Sequence, residues 1–167
     1  TVLDVGQGQC VLLQSGGRTY MVDCGGSYDE DTADTAAGTL LSQGITRLDG
    51  LILTHYDDDH DGGTDYLLSR IPADTLYLPV TAETDQMEHY ESLYGEHIQW
   101  ISSKTELFDG RIGITLYPAP SDTTGNESSM SVLCQVQKCD ILITGDTNAT
   151  GERRLVEEQN LPDLEVL

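Results

Sequence analysis

Residues 53–63 read LTHYDDDHDGG, and six of the eleven are His or Asp. An apolar run, Leu51-Ile52-Leu53, leads straight into them. No Lys or Arg stands in the stretch to balance the carboxylates. A buried strand that carries such a load to its own end is built to meet a cation. Calcium is the first candidate, because Asp57, Asp59, Asp61 and Gly62 match positions 1, 3, 5 and 6 of an EF-hand loop. Position 12 must then be a bidentate Glu, and it is Leu68. The lead-in LDGLILTH is strand-like rather than helical, so that reading fails twice.

A transition-metal site fits better. His55, Asp57, Asp59 and His60 follow the spacing H-x-D-x-D-H. In a loop leaving a strand, residues two apart can point to one centre, and the adjacent pair Asp59-His60 can serve a second. Gly62-Gly63 lets the backbone turn tightly into a helix close to the metals. Imidazole and carboxylate together suit Zn²⁺, Mn²⁺ or Fe²⁺. Helix capping and surface placement would explain one of these Asp residues, but not two His and three alternate Asp behind an apolar strand. Far downstream, Ile141-Leu142-Ile143-Thr144-Gly145-Asp146 is a second apolar strand ending in a carboxylate. Alone, Asp146 reads equally as a cap for the next helix. Beside the first cluster, it reads as a ligand bridging two metals.

The chain has 167 residues, enough for one domain, 1–167, with a proper core. Eight basic residues against 29 acidic ones give a net charge of −21, which repels nucleic-acid backbones and anionic membranes and attracts cations. Arg153-Arg154 is the one adjacent basic pair, and no basic stripe interleaved with aromatics is present. No run of 18 apolar residues exists to span a membrane, and no signal peptide is visible. TVLDV at the start and LPDLEVL at the end both read as cuts from something longer. Cys10, Cys24, Cys134 and Cys139 form no CxxC pair, which argues against a thiolate zinc site. Cys10 and Cys24 lie on two arms of a hairpin, and Cys134 and Cys139 flank a second turn. Disulfides and buried free thiols are both open for these pairs.

Patterning predicts strands at 2–5, 10–15, 18–23, 49–54, 76–78, 98–102, 112–117, 130–136 and 141–144. It predicts helices at 31–43, 64–70, 82–94 and 150–159, the third with Met87, Tyr90, Leu93 and Tyr94 on one side. Hairpins followed by alternation with helices imply a layered α/β domain with mixed sheets.

The order DVGQG, VDCGG, LTHYDDDHDGG, LITGD resembles the metallo-β-lactamase superfamily over nearly the whole chain. It is most like the hydrolase domain at the C-terminal end of ComEC-like competence proteins and their soluble relatives. The superfamily's main motif is H-x-H-x-D-H, and ComEC-like members carry Asp where Asp57 stands. The resemblance implies a four-layer αββα fold with mixed sheets, its last strand or strands missing here. It implies that His55 and Asp57 bind one metal, Asp59 and His60 the other, and that Asp146 bridges them. Asn126 and Ser129 match an Asn/Ser-containing stretch where the wider superfamily has a metal-binding His. Asp4 and the Gln7-Gly8-Gln9 loop would line the site, although relatives often carry an acidic residue where Gln9 stands. Relatives also continue past a strand like LEVL into His-His-Gly-Ser, another metal ligand, so two divalent ions (Zn or Mn) are expected in a complete domain and partial or absent occupancy in this stretch. His89 and His97 read as surface residues.

The implied activity is metal-assisted hydrolysis, with water activated by divalent ions and Asp59 orienting the attack. The implied substrate is a phosphodiester, one DNA strand during uptake. The implied setting is the extracytoplasmic face of a bacterial membrane, beside the parent's channel domain, or the cytoplasm for a soluble relative. A hydrolase of the same fold acting on a small ester, thioester or lactam is the competing enzyme reading. A non-catalytic assembly or gating module is the third.

Overall fold

The structure, a computed structural model, describes residues 1–109 and 111–166, with Asp109 described by its backbone alone. Leu167, the last residue of the expected domain, lies outside the described residues. Two sheets form. The first has the order β1 (Val11–Ser15), β2 (Arg18–Val22), β3 (Leu48–Ile52), β4 (Ala73–Pro79), β5 (Ile98–Ile101). Its first pair is antiparallel and the rest are parallel. The second is an antiparallel meander of β6 (Thr105–Asp109), β7 (Ile112–Tyr117), β8 (Ser131–Val136) and β9 (Cys139–Ile143).

Both faces of the first sheet are covered, which is why β3 leads out through a continuous apolar run, Leu51-Ile52-Leu53, rather than an alternation. Leu51 points to one side, into a core with Leu12, Met21 and Leu76. That core is closed by Ala33, Ala36, Ala37 and Leu40 of α1 (Asp29–Ser42), Leu67 of α3 (Thr64–Leu68) and Tyr90 of α4 (Thr84–Tyr94). Ile52 points to the other side, into the seam between the sheets, with Val22, Tyr77, Ile114, Leu116 and Val132. Its full burial there contributes about 1.5–3 kcal/mol. On the outer face of the second sheet, Leu133 and Leu142 meet Leu155 of α5 (Ala149–Glu158). The layers are therefore α, β, β, α. In α1 the buried residues at i, i+3, i+4 and i+7 form its inward stripe, and Asp29, Glu30 and Asp31 sit in the first turn, where the helix dipole favours negative charge.

The expected strand at 2–5 is reduced to a single bridge between Val2 and Val11. The segment after it leaves the sheet because its backbone bonds elsewhere: Gln9 N–H donates to Asp59 O (3.0 Å), and Gly25 N–H to Gln9 O (3.1 Å). Strand β6 was not expected from sequence; it is a polar edge strand whose Phe108 lies outward and exposed. A one-turn helix, α2 (Asp58–Asp61), occupies the acidic run itself. On α4, Tyr90 is buried and Met87 and Tyr94 pack on the core, but Leu93 faces solvent, contrary to the expected stripe.

All four cysteines are free thiols. Strand register pairs Cys134 with Ile141 and Cys139 with Val136, so those two are not cross-strand partners. Contact with Cys10 and then burial push the Cys24 thiol far above the usual range, which keeps it protonated and inert.

Candidate metal centre

The parallel strands deliver their carboxyl ends to one edge. A backbone bond from Met130 N–H to Thr54 O (2.8 Å) ties the start of β8 to the end of β3 and so brings the second sheet's loops to the same edge. Asp23, Thr54 and His55 are fully buried there, and His60 nearly so.

Asp23 organises this edge. It follows β2 in a left-handed conformation, φ 58°, which Asp tolerates better than most residues. One carboxylate oxygen, Oδ1, accepts the Thr54 N–H (2.7 Å). The other, Oδ2, accepts the Thr54 hydroxyl (2.7 Å), the Gln9 side-chain amide (2.7 Å) and His60 Nδ1–H (2.8 Å). The tautomers follow from these bonds. Because the Thr54 hydroxyl donates to Asp23, its lone pairs remain to accept from His55 Nδ1–H at 3.1 Å. In their neutral forms both imidazoles therefore carry their proton on Nδ1 and offer a bare Nε2. Their rings lie 4.2 Å apart.

His55 Nε2 is buried and has no hydrogen-bond partner among the described residues. The Asp57 carboxylate stands 3.6 Å from it, too far for a hydrogen bond. Burial, then the charge of His60, hold the His55 pKa below its ordinary value, which favours the neutral imidazole. Burial alone would also lower His60, but the hydrogen bond and charge of Asp23, with Asp146 and Asp59, outweigh it and raise that pKa. His60 Nε2 lies 3.2 Å from Asp146 Oδ1.

Asp146 arrives by way of Gly145, whose φ is 57° and on which a Cβ would sit 2.8 Å from Thr54 Oγ1. Only glycine lets β9's end approach the Thr54 side chain so closely. The alternative role for Asp146, capping α5, is taken by Asn148, whose Oδ1 accepts from Thr150 N–H (3.0 Å) and Gly151 N–H (3.1 Å). The carboxylate of Asp146 is thereby left to the histidines.

Donor atoms of His55, His60 and Asp146 all lie within 4.8 Å of one another. Two imidazole nitrogens, bare in the neutral rings and one of them buried with no hydrogen-bond partner among the described residues, make with a carboxylate a donor set that fits a divalent transition metal. Asp57 borders this trio, half exposed. Asp59 lines an adjoining hollow of about 220 Å³ with Gln7, Gly8, Gln9, His60 and Asp146. Asp57 and Asp59 thus stand at the margin, and among the described residues one trio of donors is closed rather than two.

Ser129 is buried behind the Gly145 turn, while Asn126 is exposed. Asp4 is exposed and lines a separate hollow against α1, with Thr32 and Thr35. His89 is exposed and pairs with Asp65, and His97 is exposed as well. Gly62 and Gly63 have negative φ; they are needed for close approach, since a Cβ on Gly63 would sit 2.6 Å from Cys24 O. Asp23 and Thr54 were missed in the sequence reading. The signal for Asp23 was present: MVDCGG ends an apolar strand in a carboxylate followed by glycine, much as LITGD does.

Competence protein ComA of Neisseria gonorrhoeae is 31% identical to this chain over 157 residues, 93% of this chain and 21% of that protein. ComE operon protein 3 of Bacillus subtilis (strain 168) is 25% identical over 178 residues, 93% of this chain and 23% of that protein. The chain thus spans about a fifth of the length of these relatives. Among solved structures, the metallo-β-lactamase MIM-1 from Novosphingobium pentaromativorans superposes with a TM-score of 0.67 at 15% identity, covering 99% of this chain and 74% of that one. The sequence model of the metallo-beta-lactamase superfamily matches residues 3–166. By fold, by motif order and by this match, the chain belongs to the metallo-β-lactamase superfamily.

Proposed function

We propose that the chain is a metal-dependent hydrolase domain of a longer competence-type protein, and that it cleaves phosphodiester bonds in a DNA strand. The observation that carries this reading is the meeting of His55, His60 and Asp146 from two distant strand ends at one buried edge. A divalent ion bound there, Zn²⁺ or Mn²⁺, supplies Lewis acidity and lowers the pKa of water at the site. His55, His60 and Asp146 hold it, with Asp57 and Asp59 as the bordering donors for a second ion. Asp23 and Thr54 keep both imidazoles turned with Nε2 outward. Asp59, in the hollow beside His60, takes the proton from the attacking water.

The competence names of the two relatives support a role in DNA uptake. No helix of the described residues is long and apolar enough to cross a membrane, so attachment to a membrane channel at the extracytoplasmic face would come through other parts of the parent protein.

The test is turnover of the Mn²⁺- or Zn²⁺-loaded chain on single-stranded DNA, on a thioester and on a lactam. Cleavage of DNA alone, lost in Asp59→Asn with metal still bound, supports the reading. Turnover of the thioester or lactam alone moves the chain to the small-substrate class. Metal binding without turnover of any of the three assigns it to assembly or gating.

A further inference from the structure

A chain with a net charge of −21 must still admit a polyanion if the phosphodiesterase reading is right, and the inference here rests on that reading. Three of the eight Lys and Arg residues are already engaged: Arg18 with Asp49, Arg47 with Asp74, Arg70 with Asp34. Lys104 and Arg154, from distant segments, are different. They line one hollow of about 370 Å³, within the size range of ligand sites.

The polar wall of that hollow is made of hydroxyls, among them Ser103, Ser129, Ser131 and Thr147. Ser129 is buried, and its Oγ has no hydrogen-bond partner among the described residues. Arg154 has no ion-pair partner among them either. Lys104 Nζ lies 3.0 Å from Glu106, but both side chains are about half exposed or more, and such a pair contributes little. An incoming anion can exchange with it. Glu158, one turn beyond Arg154, is the one acidic residue of the lining.

The hollow adjoins the metal centre. Thr147 follows Asp146 directly, and a Cβ on Gly145 would lie 3.4 Å from the Cβ of Ser129. We propose that this hollow binds a phosphate group of the substrate strand, one flanking the bond presented to the metal centre. A guanidinium and an ammonium beside a wall of hydroxyls, one of them the buried and unpartnered Ser129 Oγ, form a donor set matched to phosphate oxygens.

Fluorescence anisotropy of a labelled ten-residue oligothymidylate, measured against salt concentration in chelator and again with Mn²⁺, tests it. For single strands the log–log salt slope changes by about 0.7 per phosphate contact. The double variant Lys104→Gln/Arg154→Gln is expected to lose about 0.7 from the slope, the share of one phosphate. It is also expected to bind about ten-fold more weakly at low salt, while Arg47→Gln, a surface charge paired with Asp74, leaves the slope unchanged. Inorganic phosphate and a thymidine dinucleotide serve as competitors. Competition by phosphate in the wild type but not the double variant shows that a free phosphate group suffices. Competition by the dinucleotide alone shows that the strand is needed. Equal slopes in wild type and double variant, or no binding by the wild type, overturn the proposal. Equal slopes with DNA still cleaved remove the hollow and leave the hydrolase reading standing; a slope difference with no cleavage does the reverse.

Discussion

His60 Nδ1 stands 2.8 Å from Asp23 Oδ2, and that bond decides which nitrogen of His60 faces the metal centre. Asp23 bonds at the same time to the backbone and hydroxyl of Thr54 and to Gln9. One buried carboxylate therefore sets the orientation of two imidazoles, His60 directly and His55 through Thr54.

Asp23→Ala removes the acceptor for four donors in a buried site. Stability is expected to fall by about 3–5 kcal/mol, since the loss leaves a charge-assisted network open. Asp23→Asn keeps the shape and is expected to fold, with Zn²⁺ affinity reduced about 10–100-fold, the usual cost of losing a residue that orients a ligand. Urea denaturation and calorimetric Zn²⁺ titration measure the two effects. Unchanged affinity in Asp23→Asn would falsify the orienting role.

Thr54→Val is the companion experiment. It keeps volume and removes the hydroxyl that joins Asp23 to His55 Nδ1. The expected cost is about 1–3 kcal/mol of stability, with the Nδ1–H of His55 left without an acceptor. Thr54→Ser retains the hydroxyl and should recover metal affinity. If Ser binds as poorly as Val, the relay through Thr54 is wrong.

Periodicity made much of this architecture legible. The strands leading to His55 and Asp146 are apolar on both faces because both faces are covered, and such runs are visible without a structure. The order of the loops that carry the candidate donors was legible for the same reason: each follows such a run. Residues whose partners are distant in sequence were not legible. Asp23 acquires its role only when β2 and β3 lie side by side. Strand β6 was hidden because an edge strand needs no apolar alternation, and TELFD has little. Residues 2–5 have strand composition, but the Gln9 loop that follows them bonds to the backbone of Asp59 and Gly25 instead of continuing the sheet.

Asp61 gives a pH signature with a definite sign. Burial first, and the nearby charges of Asp58, Asp23 and Asp65 after it, raise its pKa from 3.8 to about 8, against a lowering by its hydrogen bond from Tyr90. Between those values the unfolded chain releases a proton that the folded chain keeps, so stability falls as pH rises through the window and levels off above it. Asp61→Asn cannot ionise. Its stability relative to wild type should therefore rise from about pH 4 to about pH 8 in metal-free protein, as urea denaturation at stepped pH would show. A difference that stays flat across that range would mean the carboxyl titrates normally.

The roles assigned to Asp146 and Asn148, two residues apart on one turn, predict opposite phenotypes. Asn148 holds two N–H groups at the start of α5, so Asn148→Ala should cost about 1 kcal/mol of stability and leave metal affinity unchanged. Asp146 makes no cap, and its side chain is 45% exposed, so Asp146→Asn should barely alter unfolding. Removing the charge that faces His60 Nε2 should instead weaken Zn²⁺ or Mn²⁺ binding by at least the 10–100-fold seen on losing an outer residue. The same change should lower the pKa of His60, because Asp146 is one of the charges that raise it. Proton NMR of the metal-free protein reads that pKa directly. A variant that loses metal while its His60 titration stays where it was would mean that Asp146 reaches the ion without facing the imidazole, contrary to the 3.2 Å approach seen here.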